Sequence, residues 1–285
     1  MTSVYHEPRT WDEARAALRE HSDDATVLAG GTAYTLLLRQ GLIRPGHVVA
    51  LRRVADAERI DSDAHGGLSI GAMATHNAVA RSQAVMRTWP ELADAVSKVA
   101  TVRVRNQATV GGSVAHADPA SDAPVMLSAL AAQAVVFGDG GRRRVPIDEL
   151  LVDTFTTSLA PDELIQSIEV PGRAPAARAV YVKFTLRSVD DYATVSVAVL
   201  GDVSDGVMRG VRIFLGGVGP RPMRARAVES ALTGQRADRI AEAAALVRGD
   251  VDPIDHVRGS AAYKREMARV WTERALRRLL VRASA

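Results

Sequence analysis

Cysteine is absent from the 285 residues, which removes iron–sulfur clusters, Cys-ligated zinc, thiol nucleophiles and disulfides from this chain. Redox work here needs a bound organic cofactor. Lysine is almost as scarce: of 36 Lys+Arg only Lys98, Lys183 and Lys264 are lysine, so a chain that defaults to guanidinium keeps the compact ammonium at three places. An excess of one charge is missing as well. With 36 basic and 33 acidic residues the net charge is +3, too balanced to argue for nucleic acid. No apolar run approaches the ~18 residues of a membrane span, and MTSVYHEPRT places His6, Glu7 and Pro8 where a signal peptide carries its apolar stretch; the expectation is a cytoplasmic chain. Hydrolase signals are lacking too. There is no HExxH or paired-carboxylate pattern, and Gly112-Ser113-Val114-Ala115 lacks the second glycine of a nucleophile elbow. What remains, 47% hydrophobic and 24% charged, is the composition of a globular protein of about two domains.

Periodicity and punctuation lay out the chain. Thr10 with Glu13 forms a capping box before a helix over about 10–20. Thr26–Ala29 reads as a buried strand, Gly30-Gly31-Thr32 as a tight turn, 34–40 as a helix stopped at Gly41, and 48–51 as a strand. Strand 68–74, a Thr75-capped helix over 76–82 and a helix over 90–100 beginning on Pro90 follow. Residues 106–124, NQATVGGSVAHADPASDAP, then form a long loop, of a kind that is functional in compact domains, before an apolar helix over 124–131. Gly138–Gly141 makes a hairpin of 133–137 and 142–146, and 164–170 is a further strand. PGRAPAAR at 171–178 is the best linker. Beyond it, alternating segments 180–186, 193–199 and 207–215 predict a three-stranded antiparallel sheet backed by helices over 223–232, 237–248 and 261–281.

Two glycine turns can hold an anion. Gly30-Gly31-Thr32 lies between a strand and a helix, where backbone N–H groups and the positive end of the helix suit a phosphate, although a mere tight turn explains it equally well. Thr109-Val110-Gly111-Gly112-Ser113 offers the same chemistry, so the pair could grip a pyrophosphate. No lysine follows a glycine, which excludes a P-loop. His116, Asp118, Ser121 and Asp122 are short polar groups suited to ribose hydroxyls or an adenine edge, with turn and helix-cap roles around Pro119 and Pro124 as the alternative. Metal ligation lacks support, because the histidines at 6, 21, 47, 65, 76, 116 and 256 are scattered along the chain. Lys183 sits in a strand pattern, either as a cation beside a flavin ring or as a solvent-facing lysine, with Tyr192 in the following turn. Arg142-Arg143-Arg144 reads as a solvated face.

In this order, VLAGGT at 27–32, ATVGGSVAHADPASDAP at 108–124, ELIQSIEVP at 163–171 and YVKFTLRSVDDYATVSVAV at 181–199 resemble the flavoprotein (medium) subunit of the molybdenum hydroxylases. That is the family of carbon monoxide dehydrogenase, xanthine dehydrogenase and bacterial aldehyde or N-heterocycle dehydrogenases. The resemblance spans essentially the whole chain. It implies an α+β / α/β architecture: an FAD-binding domain of the vanillyl-alcohol-oxidase type over 1–173, with subdomains of about 1–52 and 53–173, and a C-terminal α/β domain over 174–285. By position, Ala29, Gly30, Gly31, Thr32, Ala33, Tyr34 and Thr35 would wrap the pyrophosphate of non-covalent FAD, and Thr109, Gly111, Gly112, Ser113 and His116 would close over it. Asp118, Ser121 and Asp122 would lie toward the ribityl, ribose and adenine end. Ile165 and Lys183 would border the isoalloxazine, with Tyr192 at or near the ring. Ser113 stands where Asn or Asp is frequent in the family, and Ala33 where Ser or Asp is usual.

The implied role is electron transfer. A large molybdopterin subunit would oxidise substrate, a small subunit with two 2Fe-2S clusters would relay electrons, and the flavin would pass them to NAD, a quinone or oxygen within a dimer of heterotrimers. The alternatives are a stand-alone FAD oxidase or dehydrogenase on the same fold, and a non-catalytic nucleotide- or partner-binding module.

Overall fold

A computed structural model describes residues 3–204 and 206–283. Met1 and Thr2, which open the MTSVYHEPRT stretch, lie outside the described residues.

The first unit is a small parallel sheet. Strands β1 (Val4–His6), β2 (Ala25–Leu28) and β3 (His47–Ala50) pair in the order β1-β3-β2. Helices α1 (Trp11–His21) and α2 (Thr32–Arg39) are the crossovers. Thr10 caps α1 as the sequence predicts: its hydroxyl accepts from Glu13 N–H at 3.1 Å, while the Glu13 carboxylate reaches back to Arg9 N–H at 2.7 Å. Ala14 and Leu18, four residues apart, bury one face of α1 against Val49 and Leu51. By contrast α2 buries none of its residues, and Leu36 and Leu38 stay exposed.

The middle unit is an antiparallel sheet of β4 (Ile60–Ser62), β5 (Leu68–Gly71), β6 (Gln133–Gly138), β7 (Gly141–Pro146) and β10 (Leu164–Val170), ordered β4-β5-β10-β6-β7. Strands β8 (Leu151–Asp153) and β9 (Thr156–Thr157) make a separate pair. The helices are α3 (His76–Arg81), α4 (Gln83–Thr88), α5 (Pro90–Ser97), α6 (Val102–Arg105), α7 (Val110–His116), α8 (Asp122–Ala129) and α9 (Ile147–Leu150). The three arginines of β7 are exposed as expected, yet each has a partner. Arg143 and Arg144 pair with Glu163 (2.7 Å) and Glu169 (2.6 Å), and Arg142 donates to Gln166 at 2.5 Å. A charged outer strand of this kind resists pairing with another sheet.

The third unit has four antiparallel strands, β11 (Ala177–Phe184), β12 (Val195–Ser204), β13 (Val207–Gly216) and β14 (Met223–Arg224). Sequence patterning predicts three; the fourth is two residues long and falls where a helix start is expected. Helices α10 (Arg226–Leu232), α11 (Ile240–Ala245), α12 (Val247–Asp250) and α13 (Ala261–Ala283) cover one face. The period of two sorts the side chains. Val180, Val182, Val197 and Val199 join the core beneath α10–α13, whereas Ala179, Tyr181 and Ala198 join the core of the middle unit. Both faces of this sheet are therefore covered. Helix α8 lies between the two sheets and is buried along its whole length, consistent with a sequence that is apolar around its circumference.

Two stretches expected to be irregular are held in place. Residues 106–124 contain α7 and the start of α8 rather than a structureless loop. The 171–178 stretch is anchored by Arg173, which donates to Glu91 at 3.2 Å and to the Ala177 carbonyl at 3.0 Å, and by Trp89 Nε1, which donates to Pro171 O at 2.8 Å.

Candidate functional site

The two glycine turns meet. A Cβ added at Gly30 would fall on the carbonyl oxygen of Gln107, and one added at Gly112 would lie 3.4 Å from Ala29 Cβ. Loop 29–32 and the segment 107–113 are thus in direct backbone contact, which only residues without side chains allow. Gly31 has φ +73° and forms the N-cap of α2, a left-handed conformation for which glycine is suited.

The backbone donors of the two turns differ in availability. In the second turn Gly111 N–H donates to Ala72 O (3.0 Å), Gly112 N–H to Thr109 Oγ1 (3.1 Å) and Ser113 N–H to Thr109 O (3.0 Å). These groups are spent on capping α7 and fastening it to β5. At the start of α2, Thr32, Ala33 and Tyr34 N–H have no partner among the described residues, and no side chain caps the helix. A helix start with free N–H groups, backed by a second glycine segment, fits an anionic phosphate. The unburied α2 above it fits a site whose remaining wall is a ligand. These residues fit the pyrophosphate of FAD.

The other predicted residues divide into two sets. Tyr34, His116, Asp118 and Tyr192 keep some solvent contact. His116 lies against Phe155 with ring centroids 5.0 Å apart. Asp118 Oδ1 accepts from Ala120 N–H at 2.8 Å, a turn role, and Ser121 is the N-cap residue of α8. Burial, and then the charge of Asp118, raise the Tyr192 hydroxyl above its ordinary range, and the Arg258 guanidinium lies 5.1 Å from the Tyr192 ring centre. The second set is internal. Ile165 belongs to the middle core. Asp122 and Lys183 form a buried ion pair at 2.9 Å, with side chains only 6% and 4% exposed. The Lys183 ammonium also donates to Lys98 O at 2.7 Å, and the Tyr181 hydroxyl donates to the other Asp122 oxygen. Lys183 is therefore no solvent-facing lysine, since it shares the α8-facing side of β11 with Tyr181. Burial raises the Asp122 carboxyl, and the Lys183 ammonium opposes that rise.

One buried group escapes sequence reasoning. His76 is fully buried at the start of α3, and its Nε2 lies 2.7 Å from Ser113 Oγ. The Ser113 hydroxyl is thereby engaged inside the protein. Burial, and secondly the Arg105 charge, lower the His76 imidazole from 6.5 to about 4. The Thr75 cap was legible, but a histidine after a cap carries no sign of burial. The unfolded chain binds a proton here near 6.5 and the folded chain only near 4, so stability from neutral His76 is present above pH 6.5 and is lost as pH falls toward 4. The loss across that window is about 3 kcal/mol. Urea unfolding at pH 7 and pH 4.5 should show it, and His76→Gln should flatten it; equal slopes for both proteins would assign acid lability elsewhere.

Comparison with known proteins places this geometry. Residues 1–173 match the family described as the FAD binding domain in molybdopterin dehydrogenase, and residues 180–279 the CO dehydrogenase flavoprotein C-terminal domain. The chain is similar to the carbon monoxide dehydrogenase medium chain of Hydrogenophaga pseudoflava, 32% identical over 277 residues and 95% of each chain. It is also similar to subunit alpha of the 6-hydroxypseudooxynicotine dehydrogenase complex of Paenarthrobacter nicotinovorans, 34% identical over 95% of this chain and 92% of that one. A solved structure of carbon monoxide dehydrogenase from Hydrogenophaga pseudoflava superposes with a TM-score of 0.95 at 33% identity, covering 99% and 98% of the two chains. Quinoline 2-oxidoreductase from Pseudomonas putida 86 superposes at 0.94 and 29% identity, covering 100% and 99%. With both family domains in sequence and relatives matched along nearly their full lengths, the chain belongs to the FAD-binding medium subunits of the molybdenum hydroxylases, a family of oxidoreductases.

Proposed function

We propose that the chain binds FAD non-covalently between its two glycine segments and serves as the electron-transfer subunit of a multi-subunit molybdenum hydroxylase. The observation that carries this reading is the free N-terminus of α2, with Gly31 at its cap, held against the 107–113 segment. Residues 29–35 would wrap the pyrophosphate, with the backbone N–H groups of Thr32, Ala33 and Tyr34 as donors, and Thr109, Gly112 and His116 would border it. Asp118, Ser121 and Tyr192 would face the rest of the cofactor. Asp122 and Lys183 would support the site from behind through their ion pair. FAD, when bound, supplies the ability to take electrons singly and release them in pairs.

Electrons would arrive from the 2Fe-2S clusters of a small partner, after substrate oxidation in a large molybdopterin partner, and leave to NAD, a quinone or oxygen. A dimer of heterotrimers and a cytoplasmic location belong to the same proposal. No helix among the described residues is long and apolar enough to cross a membrane.

The test is to purify the full chain, record its visible spectrum and chromatograph what denaturation releases. The expected result is an oxidised-flavin spectrum and FAD released in equal amount to the chain. A folded, colourless chain that fails to take up added FAD would overturn the proposal. Reduction of the flavin only when both partner subunits and their substrate are present separates the electron-transfer role from a stand-alone oxidase.

A further inference from the structure

Histidines distant in sequence converge on the first sheet. His6 ends β1, His47 opens β3, and the parallel register pairs Val4 with His47 and His6 with Val49. Paired residues share a face, and so do residues two apart. His6 and His47 therefore project from the same face, the one on which Val49 packs against α1. Helix α1 presents Ala14 and Leu18 to that face, and its next turn on the same side ends at His21. The three rings cluster there. The His21 and His47 ring centres are 3.6 Å apart and 14° from parallel, and the His6 ring centre lies 5.1 Å from His21 and 5.2 Å from His47.

We propose that His6, His21 and His47 form a binding site for one divalent transition-metal ion of the zinc type, tying α1 to β1 and β3. One ring nitrogen from each residue lies within 4.8 Å of the others, and His6 Nε2 is 2.9 Å from His47 Nδ1. Zinc–imidazole bonds of about 2.0–2.1 Å in a tetrahedron require nitrogens about 3.3 Å apart. Rotation of the rings about their soft terminal torsions covers that difference. Imidazole is a ligand for zinc, copper and nickel rather than for magnesium or calcium. All three residues are half-buried, so the ion would keep a fourth position open to water. The site lies on the opposite end of α1 from its capped start and uses none of the residues proposed to hold FAD. Sequence spacing hides it, because ligands 15 and 26 residues apart match no zinc motif; the sheet register brings them together.

The test uses the full untagged chain, stripped with a chelator and dialysed against zinc, with metal content measured by mass spectrometry. About one zinc per chain is expected. His21→Ala and His47→Ala should each weaken zinc binding by about tenfold or more, whereas His65→Ala, which alters an exposed turn, should not. Imidazole NMR signals of the unmutated chain give a reading that does not depend on the variants folding: one equivalent of zinc should move three of the seven. A chain that retains no zinc, zinc binding equal in His21→Ala and His47→Ala to that of the unmutated chain, or imidazole signals unmoved by zinc would each overturn the site.

Discussion

Replacing Lys183 with methionine is expected to lower stability by about 3–5 kcal/mol, the cost of leaving a buried charge without its partner. The side chain lengths are similar, so little packing is lost. What remains is the Asp122 carboxylate, buried at the start of α8 with the Tyr181 hydroxyl but without its neutralising ammonium. For a chain of this size the melting temperature should fall by about 10 °C. The deficit should shrink in acid. Without Lys183 the burial that already raises the Asp122 carboxyl loses its strongest opposition and is countered only by the Tyr181 hydrogen bond and the Lys98 charge, so in the variant the carboxyl's folded value lies further above its unfolded one, and its cost is absent at low pH and grows as pH rises. Asp122→Asn in the Lys183→Met background should recover a large part of the loss. Calorimetry of the three proteins at pH 5 and pH 8 checks this. A Lys183→Met variant that melts like the unmutated chain yet carries a flavin of lowered potential would instead assign Lys183 to the flavin ring.

The second large effect concerns the glycines where the chain passes against itself. Gly30→Val and Gly111→Val should each cost about 3 kcal/mol or more and release the flavin. At Gly30 a Cβ meets the Gln107 carbonyl oxygen, and at Gly111 it comes within 2.5 Å of Ala72 Cβ and 2.7 Å of its Cα. Neither backbone can yield without parting the 107–113 segment from loop 29–32 at Gly30, or from Ala72 at Gly111. Gly31→Ala makes the informative contrast. Its nearest neighbour is Leu28 Cδ1 at 3.3 Å, so its cost is mainly the left-handed φ of +73°, about 1 kcal/mol. That variant should retain FAD. Flavin content and melting temperature of the three variants distinguish the cases, and a fully flavinated Gly30→Val would mean that the segments do not meet.

The two glycine turns were visible in the sequence, but the reason for their glycines was only half visible. A glycine pair after a strand or before a helix suits anion binding, and the start of α2 retains that character. At Gly111 the demand comes from Ala72, a partner 39 residues away that no local pattern announces. Helix α7 was missed for a related reason. VGGSVAH has poor helix propensity, and the Thr109 cap and the fastening of Gly111 to Ala72 fix it as a helix. Lys183 shows the limit of alternation. Strand β11 alternates as expected, but alternation does not reveal that α8 covers the side on which a lysine would otherwise meet water. Helix caps and hairpins, by contrast, rest on neighbours in sequence. The Thr10 and Thr75 caps and the 133–146 hairpin therefore follow from the residues themselves.

The scarcity of lysine has a practical consequence for mapping how partner subunits dock. Amine-directed cross-linkers and labels need an ammonium that can lose its proton and reach solvent. Lys183 is sealed by Asp122, and Lys264 is buried with its ammonium donating to Ile254 O at 3.1 Å. Lys98, paired with Asp94 but with a side chain 35% exposed, is the one lysine such reagents can reach. Cross-links formed through lysine amines on this subunit would therefore report on the surroundings of a single residue at the end of α5, and the interfaces would have to be traced through carboxylates or guanidinium groups.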